Sequence, residues 1–269
     1  MKILEKDNLF SVKATIGQGL TADLVVDTGF SGPVVLGGKQ LWPAACSVQR
    51  CQRMSSVHGL IYMGPVSSAV ATVGSDSYHT FHTYQGRLAI GKCAIDTTFV
   101  VAPEYDRHIL TLDALYEIVG KTGFCMDLFA KQIVPIHRPP ARQSLCPSRK
   151  RAGVWMLPVR IGLNHGWFVV DTGFAGSFLT TSNFLKHRAQ IEETETKMTV
   201  RAWKSHDLEG RVCRSVCSLG SCPSHPTEWI AVDSDMPVGD GLVGVKALRT
   251  VQLFFFPTKI CAMANGRTL

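Results

Sequence analysis

The sequence contains one six-residue segment twice, and each copy holds an aspartate that could do chemistry. Val-Val-Asp-Thr-Gly-Phe occurs at 25–30 and again at 169–174, which gives Asp27 and Asp171 the same local context. Two carboxyl groups held against each other cannot both ionise easily, so such a pair shares one proton. One member then acts as a base and the other as an acid, as hydrolysis by an activated water molecule requires. The alternative is a pair of ordinary turn aspartates.

The residues that follow each aspartate have types suited to holding such a pair. We expect Thr28 and Thr172 to turn their hydroxyl groups across the interface between two loops and so hold the loops rigid. We expect Gly29 and Gly173 to leave room for a substrate carbonyl and to adopt backbone angles that larger residues avoid. The sequence therefore predicts a two-loop site with equivalent parts.

The repeat extends well beyond these loops, because four further landmarks recur in the same order. They are Gly17 and Gly162, 54–57 and 198–200, 109–115 and 242–248, and the apolar runs 124–136 and 251–264. Long-period similarity of this kind indicates a duplicated unit. We therefore predict a first half over 1–136, an exposed linker over 137–152 and a second half over 153–269. The linker is rich in proline and basic residues, and a cleavage site there is the alternative.

Short β-branched segments bounded by Gly, Pro or Asp predict an all-β fold. The clearest are VKATI, DLVVD, VVLGG, RLAIG, TTFVVAP, WFVVD and EWIAVD. Helical patterns are few and short, over 112–119, 245–251 and 182–190. These elements must bring the two Asp-Thr-Gly loops together.

Two Asp-Thr-Gly loops, each followed later by an apolar signature and a short helix, resemble the aspartic peptidases. The retropepsin-like branch is most similar, because each half resembles one complete retropepsin unit, and 240–248 (DGLVGVKAL) resembles that branch's signature. The segment 108–115 (HILTLDAL) is similar, although Thr111 replaces the usual Gly. One chain that supplies both halves is similar to the pepsin family. The resemblance implies a bilobal aspartic-protease fold with pseudo-two-fold symmetry.

The resemblance also implies an activity. We expect an aspartic endopeptidase in which Asp27 and Asp171 activate water, without a metal or organic cofactor. A polypeptide substrate would bind as an extended strand in the cleft, and the chain would act as a monomer. One alternative is a peptide-binding module of the same fold with little or no hydrolysis. Another is an enzyme that works only when one lobe docks a partner.

Two segments are candidates for lids over the cleft. The first contains His58, Gly59, Tyr62 and Gly64, and its glycines suit a hairpin that opens and closes. The second begins near Trp203 and is more polar, so we expect it to move less. Tyr62 and Trp203 would cover the cleft with their rings, or else pack on the sheet.

The amino-acid composition limits which other partners and cellular locations are expected. We interpret the net charge of +7 as a solvated basic surface, and we expect no nucleic-acid partner. No apolar run in the sequence is long enough to span a membrane. The N-terminal residues lack the apolar stretch of a signal peptide. The nine cysteines are an odd number, which favours a reducing compartment. We expect a cytoplasmic protein, or one released from a polyprotein, rather than a secreted one. Cys213, Cys217 and Cys222 are interpreted as part of an irregular insertion, with a zinc site or a disulfide as alternatives.

Overall fold

The computed structural model describes residues 1–37, 59–72, 75–102, 105–138, 147–187, 189–201 and 207–264. This part of the chain is predominantly β, and its two halves contain equivalent elements in the same order. The first half has β1 (Leu4–Lys6), β2 (Leu9–Ile16), β3 (Leu20–Asp27), β4 (Val34–Gly37), β5 (Ile61–Thr72), β6 (Ser75–Ile90), β7 (Cys93–Ala102), β8 (His108–Thr111), α1 (Leu112–Val119), β9 (Phe124–Asp127) and β10 (Gln132–Pro135). The second half has β11 (Arg149–Arg151), β12 (Val154–Ile161), β13 (Asn164–Val170), β14 (Phe178–Thr181), a 3-10 helix (Ser182–Phe184), β15 (Glu192–Arg201), β16 (Asp207–Leu219), β17 (His225–Val232), β18 (Gly241–Val243), α2 (Val245–Leu248), β19 (Val251–Phe256) and β20 (Lys259–Ala264).

Each half forms a barrel-like sheet of eight strands. The first has the order β1-β2-β3-β8-β4-β7-β6-β5, and the second has β11-β12-β13-β18-β14-β17-β16-β15. An additional pairing, β2 with β6 and β12 with β16, curls each sheet towards closure. The equivalent strands therefore have equivalent neighbours, which extends the sequence repeat to three dimensions.

A third sheet joins the halves. Its four strands have the order β10-β9-β19-β20, so the central pair, β9 with β19, contains one strand from each half. Phe124 and Phe255 stack across this pair with ring centroids 4.8 Å apart, and both are fully buried. Burial of one such aromatic side chain contributes about 1.5–3 kcal/mol, so the two rings together stabilise the joint between the halves by several kcal/mol. The largest apolar core accordingly includes residues of both halves.

The turns and helices follow from local sequence. Gly17 and Gly162 close the equivalent β2–β3 and β12–β13 turns with φ of 56° and 58°, a region that glycine tolerates best. Helix α1 begins after Thr111, whose hydroxyl caps the amide of Ala114. Helix α2 is shorter because Val251 already begins β19.

Most sequence-based expectations of local structure are confirmed, and three are wrong. All seven predicted strand segments coincide with strands to within one residue at the end, as far as the structure describes them, and α1 has its predicted bounds. The predicted helix over 182–190 is only the short 3-10 helix, and 245–251 is helical only to Leu248. The residues Arg149–Arg151, assigned to the linker, form a strand because they pair with β12.

One landmark of the repeat stays a prediction. The segment 198–200 lies near the end of β15, and the strand in the equivalent place of the first half is β5. Its proposed counterpart, 54–57, lies outside the described residues.

In the part of the chain that the structure describes, no helix has the length and apolarity needed to cross a membrane.

Candidate active site

The two Asp-Thr-Gly loops leave equivalent strands and meet between the two eight-stranded sheets. Strand β3 runs parallel to β8, so Asp27 lies opposite Thr111 at the end of the pair. Strand β13 runs parallel to β18 in the same way, and the amide of Asp171 donates to the carbonyl of Val243 at 3.0 Å. Each aspartate thus stands where a buried strand ends, on a backbone fixed by a neighbouring strand.

Each carboxyl group is oriented by its own loop. The amide of Gly29 donates to Asp27 Oδ1 at 2.9 Å, and the amide of Gly173 donates to Asp171 Oδ1 at 2.8 Å. The two carboxyl groups also lie near each other, because the loop glycine beside each one contacts the opposite carboxyl group. The loops therefore bring both predicted aspartates together in matching orientations.

The threonines hold the two loops to each other through four buried hydrogen bonds. Thr28 Oγ1 donates to the carbonyl of Val170 at 2.7 Å, and Thr172 Oγ1 donates to the carbonyl of Val26 at 2.7 Å. Each hydroxyl also accepts the other threonine's amide, at 3.1 and 3.2 Å. Both side chains are fully buried, which makes these bonds costly to break. The expected crossing of the hydroxyl groups is confirmed.

The glycines are required for a steric reason rather than for unusual backbone angles. A Cβ on Gly29 would stand 2.7 Å from Asp171 Cγ, and a Cβ on Gly173 would stand 2.4 Å from Asp27 Oδ2. Neither glycine has a positive φ, so that part of the expectation is wrong. Each glycine instead makes room for the opposite carboxyl group, which is how the pair comes into contact.

The surroundings make both carboxyl groups hard to ionise together. Burial raises the pKa of Asp27 well above its ordinary value, and the charge of Asp171 raises it further. Burial also raises the pKa of Asp171. Part of each residue nevertheless stays accessible to solvent, although the loops enclose the carboxyl groups. The two environments are equivalent, so the shared proton belongs to the pair. Such a pair can donate and accept a proton at the same place.

The loop after Asp27 has a brace that the second half lacks. Thr111 Oγ1 donates to the carbonyl of Gly32 at 2.7 Å, and the amide of Gly32 donates to Asp113 Oδ2 at 2.7 Å. At the place of Thr111 the second half has Gly244, where a Cβ would lie 2.4 Å from the carbonyl oxygen of Phe174. The substitution of Thr111 for glycine therefore rearranges the contacts of this loop. Sequence reasoning noted Thr111 but missed Asp113, whose position in the first helical turn was the available signal.

Apolar clusters flank the loops on both sides. Phe30 packs on a cluster of Val35, Phe81, Ala102 and Ile109, and Phe174 packs on one of Leu179, Ile230 and Val232. Both phenylalanines are half-buried, in keeping with a wall position.

Tyr105 is a neighbour of the carboxyl pair that sequence reasoning missed. It packs on the same cluster as Phe30, and its amide donates to the carbonyl of Ala102 at 3.0 Å. Burial raises the pKa of Tyr105, and the charges of Asp27 and Asp171 raise it further. The tyrosine lies in the β7–β8 connection, where no periodic pattern marks it.

The structure describes the hairpin that contains most of the first candidate lid. Strands β5 and β6 form a long hairpin whose closing pair is Thr72 with Ser75, whereas Gly59, Tyr62 and Gly64 lie at its opposite end. These three residues therefore lie away from the closing pair of the hairpin, and their role in covering the cleft stays a prediction. In the equivalent hairpin, β15–β16, the closing pair is Arg201 with Asp207. His58 and Trp203 lie outside the described residues.

The three candidate lid residues that the structure describes have structural contacts. Tyr62 shares a hydrogen bond of 3.0 Å with His82 Nδ1, and its ring lies 5.3 Å from that of Tyr84. Gly64 lies at a β-bulge and accepts a hydrogen bond from Thr83. A Cβ on Gly59 would meet the side chain of Gln18 at 2.3 Å. These residues are held at the base of the hairpin.

The cysteines of the second half are part of a regular strand, so their interpretation as an irregular insertion is wrong. Cys213 and Cys217 lie in β16 and are buried, and Cys222 lies in the turn that follows. All three are free thiols, and burial raises the pKa of Cys217 to about 11. Among the described residues, no cluster of three His, Cys, Asp or Glu side chains is arranged to hold a metal ion.

Two open cavities lie elsewhere on the second half, with volumes of about 620 and 550 Å³. The larger is lined by strands β16 and β17 and the start of β15. The smaller is lined by the β12–β13 connection, the segment from the end of β14 through the 3-10 helix, and the β17–β18 connection. Neither contains Asp27 or Asp171. The carboxyl pair can donate and accept a proton at the same place, so we take it as the candidate active site.

Comparison with known proteins gave no further assignment: neither a scan against protein-family models nor a search among curated proteins found a match.

Proposed function

We propose that this chain is an aspartic endopeptidase that hydrolyses peptide bonds with a water molecule activated by Asp27 and Asp171. The observation that supports it most is that Thr28 and Thr172 lock the two Asp-Thr-Gly loops together, with the glycine of each loop packed against the opposite carboxyl group. A rigid pair in contact, with burial raising the pKa of both members, is what shared-proton catalysis needs.

The proposed reaction uses the single proton of the pair. The ionised carboxylate takes a proton from water as the water oxygen forms a bond to the peptide carbonyl carbon. The protonated carboxyl donates its proton to the carbonyl oxygen, which gives a neutral tetrahedral diol. The diol then collapses: its C–N bond breaks, the nitrogen gains a proton from the pair, and one hydroxyl returns its proton to the pair. The products are an acid and an amine, and the pair is restored.

The finer fold assignment is part of the same proposal. Each half, with eight strands in the same order followed by a helix and a hairpin, is similar to a retropepsin unit, and one chain supplying both halves is similar to pepsin. The two lobes would then be related by a pseudo-two-fold axis between Asp27 and Asp171. The cleft would accept a polypeptide in extended form, and the chain would be active as a monomer.

The experiment is turnover of a peptide library by the purified chain and by matched variants. Asp27→Asn and Asp171→Asn should each lower turnover by several orders of magnitude, because water activation and acid assistance are lost together. Asp96→Asn, at an exposed position of β7, is the control and should cleave at the normal rate. Near-normal cleavage by either folded dyad variant would exclude the proposal.

Inhibitors provide a second arm. A peptide with a hydroxyl-bearing tetrahedral carbon in place of the scissile carbonyl should bind far more tightly than the substrate, because it resembles the diol. Binding of peptides without cleavage by the unsubstituted chain would favour a peptide-binding module instead. Sedimentation that finds activity only in a dimer fraction would contradict the monomer.

A further inference from the structure

The edge strand β11 presents three cations in a row. Arg149, Lys150 and Arg151 are all exposed, and none forms an ion pair with a carboxylate among the described residues. The guanidinium of Arg149 lies over the ring of Trp167, 4.0 Å from its centroid. A stacked guanidinium is ordered before any ligand arrives and still has donors free for a carboxylate.

The strand register puts two of these cations on the face that carries Asp171. Arg149 lies opposite Met156, and Met156 lies opposite Val169. Directly paired residues share a face of a sheet, and so do residues two apart along a strand. Val169 precedes Asp171 by two residues, so Arg149 and Arg151 are on the same face as the catalytic carboxyl.

The two arginines lie at a distance from Asp171 that a single extended peptide can span. Strand β11 is two strands away from β13, which corresponds to about 10 Å at about 4.8 Å per strand. An extended peptide rises about 3.3 Å per residue, so side chains about three to four residues from the scissile bond would reach Arg149 and Arg151. The β11–β12 turn also touches the first Asp-Thr-Gly loop, where Ser31 Oγ donates to the carbonyl of Ala152 at 3.4 Å. The cations therefore border the candidate cleft.

The equivalent place in the first half has different chemistry. By the same register, Leu4 lies opposite Ser11, which lies opposite Val25, two residues before Asp27. Leu4 thus takes the place of Arg149 and is half-exposed, and Lys6 takes the place of Arg151. An exposed acid, Asp7, directly follows Lys6. One end of the cleft is strongly basic and the other is nearly neutral.

We propose that Arg149 and Arg151 select substrates with acidic side chains about three to four residues from the scissile bond, on one side only. This inference rests on the proposed peptidase function. It assigns the chain an acidic polypeptide substrate and a fixed direction of binding, although the carboxyl pair itself is nearly symmetric. The recognition is electrostatic, so it weakens as salt screens the charges.

The test uses a peptide that the chain cleaves and two acidic isomers of it. Glu residues are placed three and four positions from the scissile bond on the N-terminal side in one isomer and on the C-terminal side in the other, with Gln in a neutral version. One isomer should have a KM about tenfold below that of the neutral peptide at low salt, with kcat nearly unchanged. The double variant Arg149→Leu with Arg151→Gln should lose this advantage, and Lys6→Gln should keep it.

A gain of function sharpens the test. Leu4→Arg copies Arg149 into the equivalent place of the first half, so it should lower KM for the other isomer. Equal KM values for acidic and neutral peptides, or equal effects of the double variant and Lys6→Gln, would overturn the inference while leaving the peptidase proposal intact. An RNA oligonucleotide that binds β11 without changing peptide KM would also overturn it, in favour of nucleic acid.

A binding arm separates the two proposals. Fluorescence anisotropy of labelled Glu and Gln peptides on the Asp27→Asn variant needs no turnover. Preference for the Glu peptide that disappears with Arg149→Leu and Arg151→Gln supports the inference even if no variant hydrolyses peptides. Absence of any preference for the Glu peptide contradicts it.

Discussion

Gly29 lies against the carboxyl group of Asp171 so closely that a Cβ at Gly29 would stand 2.7 Å from Asp171 Cγ. The glycine of one half thus fixes how near the other half's carboxylate can approach. The reciprocal contact, between Gly173 and Asp27, is equally close. Both positions therefore need glycine, because each one contacts the carboxyl group of the other half. A single methyl group added at either position would displace that carboxyl group.

Gly29→Ala should therefore displace Asp171 and lower peptide turnover by about a hundredfold, since a shift of about 1 Å at a catalytic group has effects of that order. Gly91→Ala is the control, because a Cβ there meets no atom within 4 Å. Its φ of 60° should still cost about 1 kcal/mol of stability. Turnover and urea unfolding of both variants check this. Equal turnover in the two variants would contradict the steric argument.

Thr172→Val should destabilise the chain by about 2–5 kcal/mol, because the carbonyl of Val26 and the amide of Thr28 would both be buried without partners. Thr172→Ser keeps the hydroxyl and should lose less than about 1.5 kcal/mol. Urea unfolding of the two variants gives the difference. If valine and serine proved equally stable, the crossed hydrogen bonds would have no net effect on stability.

The carboxyl pair should make stability depend on pH in a defined direction. Burial raises the pKa of Asp27 and Asp171 above the ordinary 3.8, so the folded chain binds protons more tightly than the unfolded chain. This stabilisation is fully present below the ordinary value and is lost as pH rises through the raised pKa of the folded pair. Each unit of difference corresponds to about 1.4 kcal/mol.

Asp27→Asn removes one ionisable group of the pair. At neutral pH the variant should have a higher Tm than the unsubstituted chain, and the gap should close below the ordinary aspartate range. Calorimetry at the two pH values measures it, with Asp96→Asn as the exposed control. A gap that stays constant with pH would contradict the raised pKa.

Tyr105 should report on the charge of the pair. Burial is the main reason that the pKa of Tyr105 lies above its ordinary value, and the charges of Asp27 and Asp171 raise it further. Asp171→Asn removes one of these charges, so the pKa of Tyr105 should fall towards the ordinary value without reaching it, because burial remains. Alkaline absorbance titration measures this, and Tyr105→Phe assigns the signal among the five tyrosines. An unchanged titration would place Tyr105 away from the pair.

The sequence predicted the parts of the site whose signal is local. The two Asp-Thr-Gly segments and helix α1 depend on short patterns, and the duplication lets one copy of the Asp-Thr-Gly segment support the interpretation of the other. The crossing of the Thr28 and Thr172 hydroxyls was also predictable, because buried hydroxyls on two adjoining loops need partners.

The parts that were missed depend on contacts between distant segments. The extent of the β5–β6 hairpin was not predicted, because its strands are rich in Ser, Thr and His and lack apolar alternation. The candidate lid was assigned from Gly59 and Gly64, which lie away from the closing pair of the hairpin, Thr72 with Ser75. Tyr105 and the Asp113–Gly32 hydrogen bond were missed because tertiary structure, rather than residue spacing, brings them to the loop. The strand Arg149–Arg151 was hidden by its charge, since an edge strand needs no apolar face.

The seam between β9 and β19 has a consequence for how the chain is made on the ribosome. Strand β9 ends at Asp127 and its partner begins at Val251, so 123 residues (251 − 127 − 1) lie between them and must be synthesised first. At about 5–20 residues per second this takes roughly 6 to 25 seconds. During that interval the nascent first half has an open edge of amides and carbonyls and an unstacked Phe124. Aggregation of chains truncated before Val251, absent from full-length chains at the same concentration, would be the cellular signature of this delay.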